Sequence, residues 1–345
     1  MKHTLFCAAV LLLPLFLLLG CTEDVPTDTA EDLRGALLAA AEEVTVTDMS
    51  VIFTDAVGER REIAKNPENV VSLYASFTTL WYEAGGQLRG CIGGNTARNL
   101  YIEHIGRDIT ADSSVTVAAD SASSGKWSVE RILALQPSLI LCSVAMDGYA
   151  VIKNPAAAAG IPVIAVDYDT FEDYLKWFKV FCHLNGRPDL WESVALPVLE
   201  EVVQCIASLP EGKAPRVFAM FADYKSLQAN TSGTVVGEMI SLLHGVNIAD
   251  SSYTADAERI PVNLESVYAA DPDVIVVQCH SDAASAKRIV EETYGDNAVW
   301  QALRAVREDR VYYLDKSLFH NKPNSRFGEA YRTLADILYG SSPQP

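Results

Sequence analysis

Apolar positions along the chain fall into short runs that alternate between strand-like and helix-like spacing. Val51-Ile52-Phe53 and Arg61-Glu62-Ile63 flank Ala56-Val57-Gly58, which predicts a hairpin, and Val70-Val71-Ser72-Leu73 reads as a buried strand. A helix from Phe77 to Ala84 stops at Gly85-Gly86. There follow strand-like Gly90-Cys91-Ile92, a helix from Val129 to Leu135, the strand Leu139-Ile140-Leu141, a helix ending at Ala159 and the strand Val163-Ile164-Ala165-Val166. Two longer helical stretches come next: Phe171 to Leu184, closed by Asn185-Gly186, and Asp189 to Leu209 with Pro197 inside it. At about 1.5 Å per residue, the second spans roughly 30 Å and is long enough to join two lobes. After Pro210-Glu211-Gly212 the alternation resumes through Arg216 to Phe221, Val235 to Leu243, Val274 to Val277, Val299 to Val306 and Val311 to Leu314, and closes on a helix from Phe327 to Leu338. Strands alternating with helices imply α/β lobes on largely parallel sheets.

One segment is echoed. Ser128-Val129-Glu130-Arg131-Ile132-Leu133-Ala134-Leu135-Gln136-Pro137-Ser138-Leu139-Ile140-Leu141 aligns without a gap on Asn263-Leu264-Glu265-Ser266-Val267-Tyr268-Ala269-Ala270-Asp271-Pro272-Asp273-Val274-Ile275-Val276. Each copy has an N-cap Ser or Asn, an acid in the first turn, two helical turns, a proline that ends the helix and a buried strand. The spacing is too long for a solenoid, so the echo argues for two similar lobes.

The chain opens differently. Lys2, His3 and Thr4 precede an apolar stretch from Leu5 to Gly20 that contains Pro14 and is shorter than the roughly 20 residues a spanning helix needs, which marks an export signal. An acidic stretch follows (Glu23, Asp24, Asp28, Glu31, Asp32) and then Leu37-Leu38-Ala39-Ala40-Ala41, read as a solvated tether ending in a short helix. The expected divisions are a signal over 1–20, a tether over 21–45, a first lobe over 46–186, a connecting helix over 187–210 and a second lobe over 211–340.

Composition narrows the chemistry. Among 345 residues, 27 Lys and Arg against 45 Asp and Glu leave a formal charge of −18, which repels a phosphate backbone and excludes nucleic acid as an expected partner. Of seven cysteines, Cys7 leaves with the signal and Cys21 stands at its end, leaving Cys91, Cys142, Cys182, Cys205 and Cys279. An odd number without any CxxC supports neither a disulfide framework nor a structural zinc; Cys91 with Cys142, on two predicted strands of one lobe, is the pair left open. There is no GxSxG elbow, P-loop, GxGxxG after a strand or HExxH, so no enzyme is expected.

Leu18-Leu19-Gly20-Cys21 resembles the lipobox at which bacterial lipoproteins are cleaved and their new N-terminal cysteine acylated. Two further motifs join it: Gly245-Val246-Asn247-Ile248-Ala249-Asp250, and the terminal run from Leu318 through Phe319-His320-Asn321-Lys322-Pro323-Asn324-Ser325-Arg326-Phe327 to Tyr331. With the echoed Glu elements and the connecting helix, in this order, the sequence resembles the substrate-binding lipoproteins of ABC importers over roughly residues 50–340. More narrowly, it is similar to the class III periplasmic binding proteins that handle ferric siderophores, haem and cobalamin. The resemblance implies an α/β fold of two Rossmann-like lobes joined by a long interdomain helix. It further implies a monomer outside the cytoplasm, held to a bacterial membrane by lipid on Cys21, with no resident cofactor, serving a permease and its ATPase. In that family one glutamate per lobe meets permease arginines, and by motif position these are Glu130 and Glu265. Each acid also favours its own helix N-terminus by about 0.3–1 kcal/mol, and the two roles are compatible.

In α/β lobes ligands lie against loops at the carboxyl ends of the strands. Those loops supply Tyr74, Ser76, Arg98, Trp127, Met146, Tyr224, His280, His320 and Lys322 as candidate ligand-binding residues. Aromatics with scattered cations suit a large flat or chelated molecule bearing carboxylates, although sugar binders use aromatics too, and Tyr74, Tyr224, His280 and His320 each also read as an ordinary loop residue or satisfied core group. Relatives that bind haem ligate its iron through Tyr and His, which on this resemblance points to Tyr74, Tyr224, His280 and His320, with His320 and Tyr74 foremost. His104, His183 and His244 receive no role. The expected cargo is an iron chelate, siderophore or haem, with the same role for cobalamin or a divalent metal as the alternative and an exported enzyme as the more distant one. His280 with Asp282 alone is too small a donor set for a dedicated zinc or manganese site.

Overall fold

The computed structural model describes residues 30–122, 127–224, 226–250 and 257–340. The export signal, Cys21, Lys126 and Lys225 lie outside these residues. From Ala30 the chain is no longer the solvated tether that its acidic composition suggests. Helix α1 (Ala30–Glu42) places Leu33, Leu37, Leu38 and Ala41 along one stripe, with Leu37, Leu38 and Ala41 buried. Arg34 Nε lies 2.7 Å from Glu200 Oε1, and Lys179 Nζ donates to the Ala41 carbonyl at 2.8 Å.

Strands β1 (Thr45–Val46), β2 (Ser50–Thr54) and β3 (Arg60–Ala64) form an antiparallel ribbon, including the expected hairpin. Its turn is built on Asp55, whose buried carboxylate accepts from the Val57 and Glu59 amides and from Arg61 Nε.

The first lobe follows as β4 (Val70–Ser72), α2 (Ala75–Glu83), β5 (Gly90–Ile92), α3 (Asn95–Ile105), β6 (Thr116–Ala119), α4 (Val129–Ala134), β7 (Leu139–Ser143), α5 (Gly148–Ala158) and β8 (Val163–Val166). The five strands are parallel in the order β6-β5-β4-β7-β8, so the winding reverses between β4 and β7, where doubly wound sheets open a crevice. Cys91 and Cys142 pack into separate apolar clusters on opposite faces of this sheet, with β4 between their strands. No disulfide joins them, and all five described cysteines are buried free thiols.

Helix α6 (Phe171–Leu184) starts in a capping box between Thr170 and Asp173. A helical path then runs through α7 (Pro188–Leu190), a π turn (Trp191–Ala195) and α8 (Leu196–Ala207). The widened turn comes just before Pro197, whose missing N–H cannot continue the ordinary ladder.

The second lobe comprises β9 (Arg216–Ala222), β10 (Leu227–Asn230), α9 (Val235–Leu242), β11 (Val246–Asn247), β12 (Arg259–Pro261), α10 (Leu264–Ala270), β13 (Val274–Cys279), α11 (Ala283–Tyr294), α12 (Ala298–Ala302), α13 (Arg304–Arg307), β14 (Val311–Leu314), α14 (Lys316–Phe319) and α15 (Phe327–Tyr339). Its sheet runs β12-β10-β9-β13-β14 with β11 also on β9; β10 and β12 are antiparallel, so this lobe is mixed where the first is fully parallel. The echo is physical: Ser128 caps the Arg131 amide, Asn263 caps the Ser266 amide, and each helix ends at a residue of positive φ, Gln136 at 48° and Asp271 at 45°, directly before its proline. One apolar core runs through both lobes, with Tyr168, Phe171, Tyr174, Phe327 and Tyr331 in ring contact where they meet.

Candidate functional site

At the switch point of the first sheet the chain leaves β4 and enters α2 through Tyr74, whose extended backbone turns its carbonyl toward the hydroxyls of Ser72 (3.1 Å) and Thr78 (3.2 Å). The Tyr74 ring lies 4.8 Å from Phe77, and burial, then Asp169, Asp167 and Glu258, push its hydroxyl pKa up. Glu258 belongs to the second lobe, so its charge acts on Tyr74 from across the junction. Ser76 is buried in the first turn of α2 and its carbonyl accepts from Thr79. Beyond β8, Asp167 and Asp169 straddle Tyr168; burial, then the neighbouring Asp169 and Asp173, raise the Asp167 carboxyl. The Lys322 ammonium reaches across from the second lobe to Asp169 and stands 5.3 Å above the Tyr168 ring.

Opposite, the carboxyl ends of the second sheet gather an aromatic and imidazole cluster. His280 follows β13, its amide held by the Ala222 carbonyl, and His320 caps α14; their rings are 4.8 Å apart. Phe221 stacks on His320 at 5.7 Å, Tyr224 meets His280 edge-on at 4.5 Å, and the Arg259 guanidinium sits 4.3 Å from the Phe221 ring. His280 Nδ1 lies 3.9 Å from Asp223. Burial lowers the His280 pKa against the pull of Asp223, and pushes His320 down to about 3, where His280, Lys316, Arg259 and Lys322 add to the effect. Both rings are therefore neutral at pH 7, and His320 Nδ1 is buried with no hydrogen-bond partner. A neutral imidazole pair beside cations offers nitrogen donors to a metal chelate and counter-charge to its acidic groups.

Among the sequence candidates, Tyr224, His280 and His320 thus come together, with Tyr74 and Lys322 at the junction. Trp127 packs the outer edge of its ring against Gly148, where an added Cβ would come 2.1 Å from it, and donates to the Ser121 carbonyl at 2.8 Å. Met146 is 37% exposed in the loop just before α5. Arg98 is engaged within its own lobe, 3.1 Å from Thr110 Oγ1 and 3.8 Å from Asp108. Glu130 and Glu265 are exposed on the first turns of α4 and α10. His104, given no role above, has its Nδ1 3.4 Å from Glu83 and its Nε2 buried without a partner. The sequence reading missed Phe221, Arg259, Lys316, Asp167 and Asp169. The run Asp167-Tyr168-Asp169, directly after a predicted strand, was a readable signal; Arg259, in a three-residue strand, was not. Two cavities open elsewhere, one of about 180 Å³ between Phe218, Ile260 and α10, the other of about 360 Å³ between Lys65, Glu68 and Pro162. No helix among the described residues is long and apolar enough to cross a membrane.

These features meet in one class. The sequence model of the periplasmic binding protein family matches residues 70–318, and the chain belongs to that family. It is 24% identical over 341 residues to YvrC of Bacillus subtilis, an uncharacterised ABC transporter substrate-binding lipoprotein, covering 96% of each chain. Over 127 residues it is 24% identical to the high-affinity haem uptake system protein IsdE of Staphylococcus aureus, 37% of this chain and 42% of that one. The solved IsdE–haem complex superposes with a TM-score of 0.59 at 18% identity, covering 79% of this chain and 98% of that one. The vitamin B12 binding protein BtuF of Vibrio cholerae gives 0.58 at 18%, covering 79% and 96%. Two-lobed periplasmic binding proteins therefore share this fold, and the chain has the substrate-binding role of that extracytoplasmic family, whose members in ABC importers work with a permease and its ATPase.

Proposed function

We propose that the chain, anchored by lipid on Cys21, captures an iron chelate, a ferric siderophore or haem, between its lobes and hands it to the permease through Glu130 and Glu265. On this reading residues 46–186 and 211–340 are the two gripping lobes and 187–210 the link. The observation that carries it is the neutral pair His280 and His320, with Phe221 and Tyr224 in ring contact, Arg259 against Phe221 and the charge of Lys316 acting on both rings. The donors suit iron or its tetrapyrrole, the rings a flat face, and the cations propionate or carboxylate groups. Ser76, Trp127 and Met146 complete the rim, while Arg98 would have to leave Asp108 to take part. The naming of IsdE for haem uptake supports the cargo class.

Titration of the mature chain with haemin, ferric siderophores and cobalamin, followed by tryptophan quenching, tests this. Haemin or a ferric siderophore should bind at micromolar concentration or tighter, about −8 kcal/mol. Removing His320 and Tyr74 together should weaken it by more than the roughly 0.5 kcal/mol of a surface change. Tight binding of cobalamin, a sugar, a peptide or a bare divalent metal, with none of the iron compounds bound, overturns the cargo assignment.

A further inference from the structure

The run from His320 to Arg326 leaves the second lobe and is tied to both lobes by buried amides. On the second lobe, Gln278 Nε2 donates to the Phe319 carbonyl at 2.6 Å, and Gln278 Oε1 accepts from Asn230 at 2.8 Å. On the first lobe the tie is Asn324, fully buried, with φ at 52° in the left-handed region that Asn and Asp tolerate. Its amide is fully used: Nδ2 donates to Thr79 Oγ1 and to Glu83 Oε1, both at 3.1 Å, and Oδ1 accepts from the Tyr168 hydroxyl at 3.1 Å. Glu83 also accepts from the Ser325 amide at 3.3 Å and faces His104 Nδ1 at 3.4 Å. Lys322 adds its contact with Asp169, and Arg326 comes within 3.8 Å of Glu103. Within the run, the His320 and Asn321 amides both donate to the Lys316 carbonyl, at 3.0 and 2.9 Å. The first residue of this strap thus belongs to the imidazole cluster and its fifth to the other lobe.

We propose that Asn324 and Glu83 are positioning residues: they staple the strap 320–326 to the first lobe, which fixes the separation of the lobes and holds His320 against His280 in the unliganded protein. The role for His320 rests on reading the cleft as the ligand site; the staple does not. A buried amide with every donor and acceptor satisfied is costly to break and directional in what it accepts. The apolar core shared by the lobes is non-directional, whereas the staple adds directional hydrogen bonds between them four residues from His320.

The test needs no ligand. The mature chain, residues 21–345 with Cys21→Ser, carries spin labels at exposed Arg131→Cys and Tyr268→Cys, the other thiols being buried. Pulsed dipolar spectroscopy reads the interlobe distance, and hydrogen exchange reads the His320 and Asn321 amides. Asn324→Asp keeps size and backbone preference but turns a donor into a carboxylate facing Glu83. It should at least double the width of the distance distribution and speed exchange at both amides at least tenfold. The double variant Asn324→Asp with Glu83→Gln restores a donor–acceptor pair with the roles exchanged and should return both readings toward wild type, which a general loss of stability would not do. Should Asn324→Asp fail to fold, Thr79→Val, which removes one partner of the amide, should move both readings in the same direction. Wild-type distance width and exchange in the variant that folds overturns the staple. Absence of haemin and siderophore binding with these readings intact overturns the cargo reading alone.

Discussion

Glu238 offers a stability test with a definite sign. It lies on α9 with its carboxylate accepting from the Tyr331 hydroxyl at 3.2 Å, facing the Phe171 amide and the acids Glu172 and Asp173 of α6. Burial first, opposed by the Tyr331 hydrogen bond and reinforced by those two acids, pushes its pKa up to about 7 from 4.5. The folded protein therefore holds a proton here that the unfolded chain releases above pH 4.5, so this group's contribution is complete below about 4.5 and is lost as pH rises through about 7. At 1.36 kcal/mol per unit the interval amounts to about 3 kcal/mol, and solvent reaching this half-buried residue reduces the expectation to about 2 kcal/mol. Glu238→Gln keeps the shape and an acceptor for Tyr331 but cannot ionise. Guanidinium or thermal unfolding at pH 4.5 and pH 8.5 should show near-equal stabilities at the lower pH. At the higher pH the variant should be more stable by about 2 kcal/mol, on the order of 4 °C in Tm. An equal difference at both pH values would refute the assignment of a buried, protonated carboxyl.

The remaining predictions concern thiols, anchor and docking. Burial pushes the Cys91, Cys142 and Cys279 pKa values up to about 12, so a thiol reagent at pH 8 should find almost no reactive cysteine in the native mature chain with Cys21→Ser and five after unfolding; three after unfolding would restore the Cys91–Cys142 disulfide. Cys21→Ser should yield protein that is unacylated and either uncleaved or lost from the membrane fraction; unchanged processing and fractionation would contradict the lipobox. Reversing Glu130 and Glu265 to Arg should abolish uptake in cells with ligand affinity nearly intact, and wild-type transport by the double variant would end their assignment to docking.

Much of the fold was legible because its strands are short buried apolar runs and its helices carry their own start and stop residues. The echo of 128–141 in 263–276 was the strongest signal, and the structure explains it as the same cap, helix, left-handed residue and proline built twice. The antiparallel strands β10 and β12 were not legible, since Leu227–Asn230 and Arg259–Pro261 are short and only partly apolar. Helix α1 was half hidden because its acidic start reads as solvated while Leu37, Leu38 and Ala41 find their partners on α6 and α8, far away in sequence. For the candidate site, position after a strand was enough to single out Tyr74, His280 and Tyr224 as candidates, but the pairing of the cations was not legible. Lys322, Arg98 and also Arg259 proved to be engaged, by Asp169, by Asp108 and by Glu258 with Asn230, while the charges of Arg259 and Lys316 still act on His320. The bonds of Asn324 span more than 150 residues of sequence and no local pattern announces them.

Native mass spectrometry of the protein extracted from its own host's envelope under iron limitation tests the central claim most directly. The expected result is one ligand per chain, with the iron isotope signature and the mass of haem or of a ferric chelate, and its loss from protein in which His280 and His320 are both replaced by Ala. A chain carrying instead a sugar, a peptide, a corrinoid or a bare divalent metal, retained by that double variant, would contradict it.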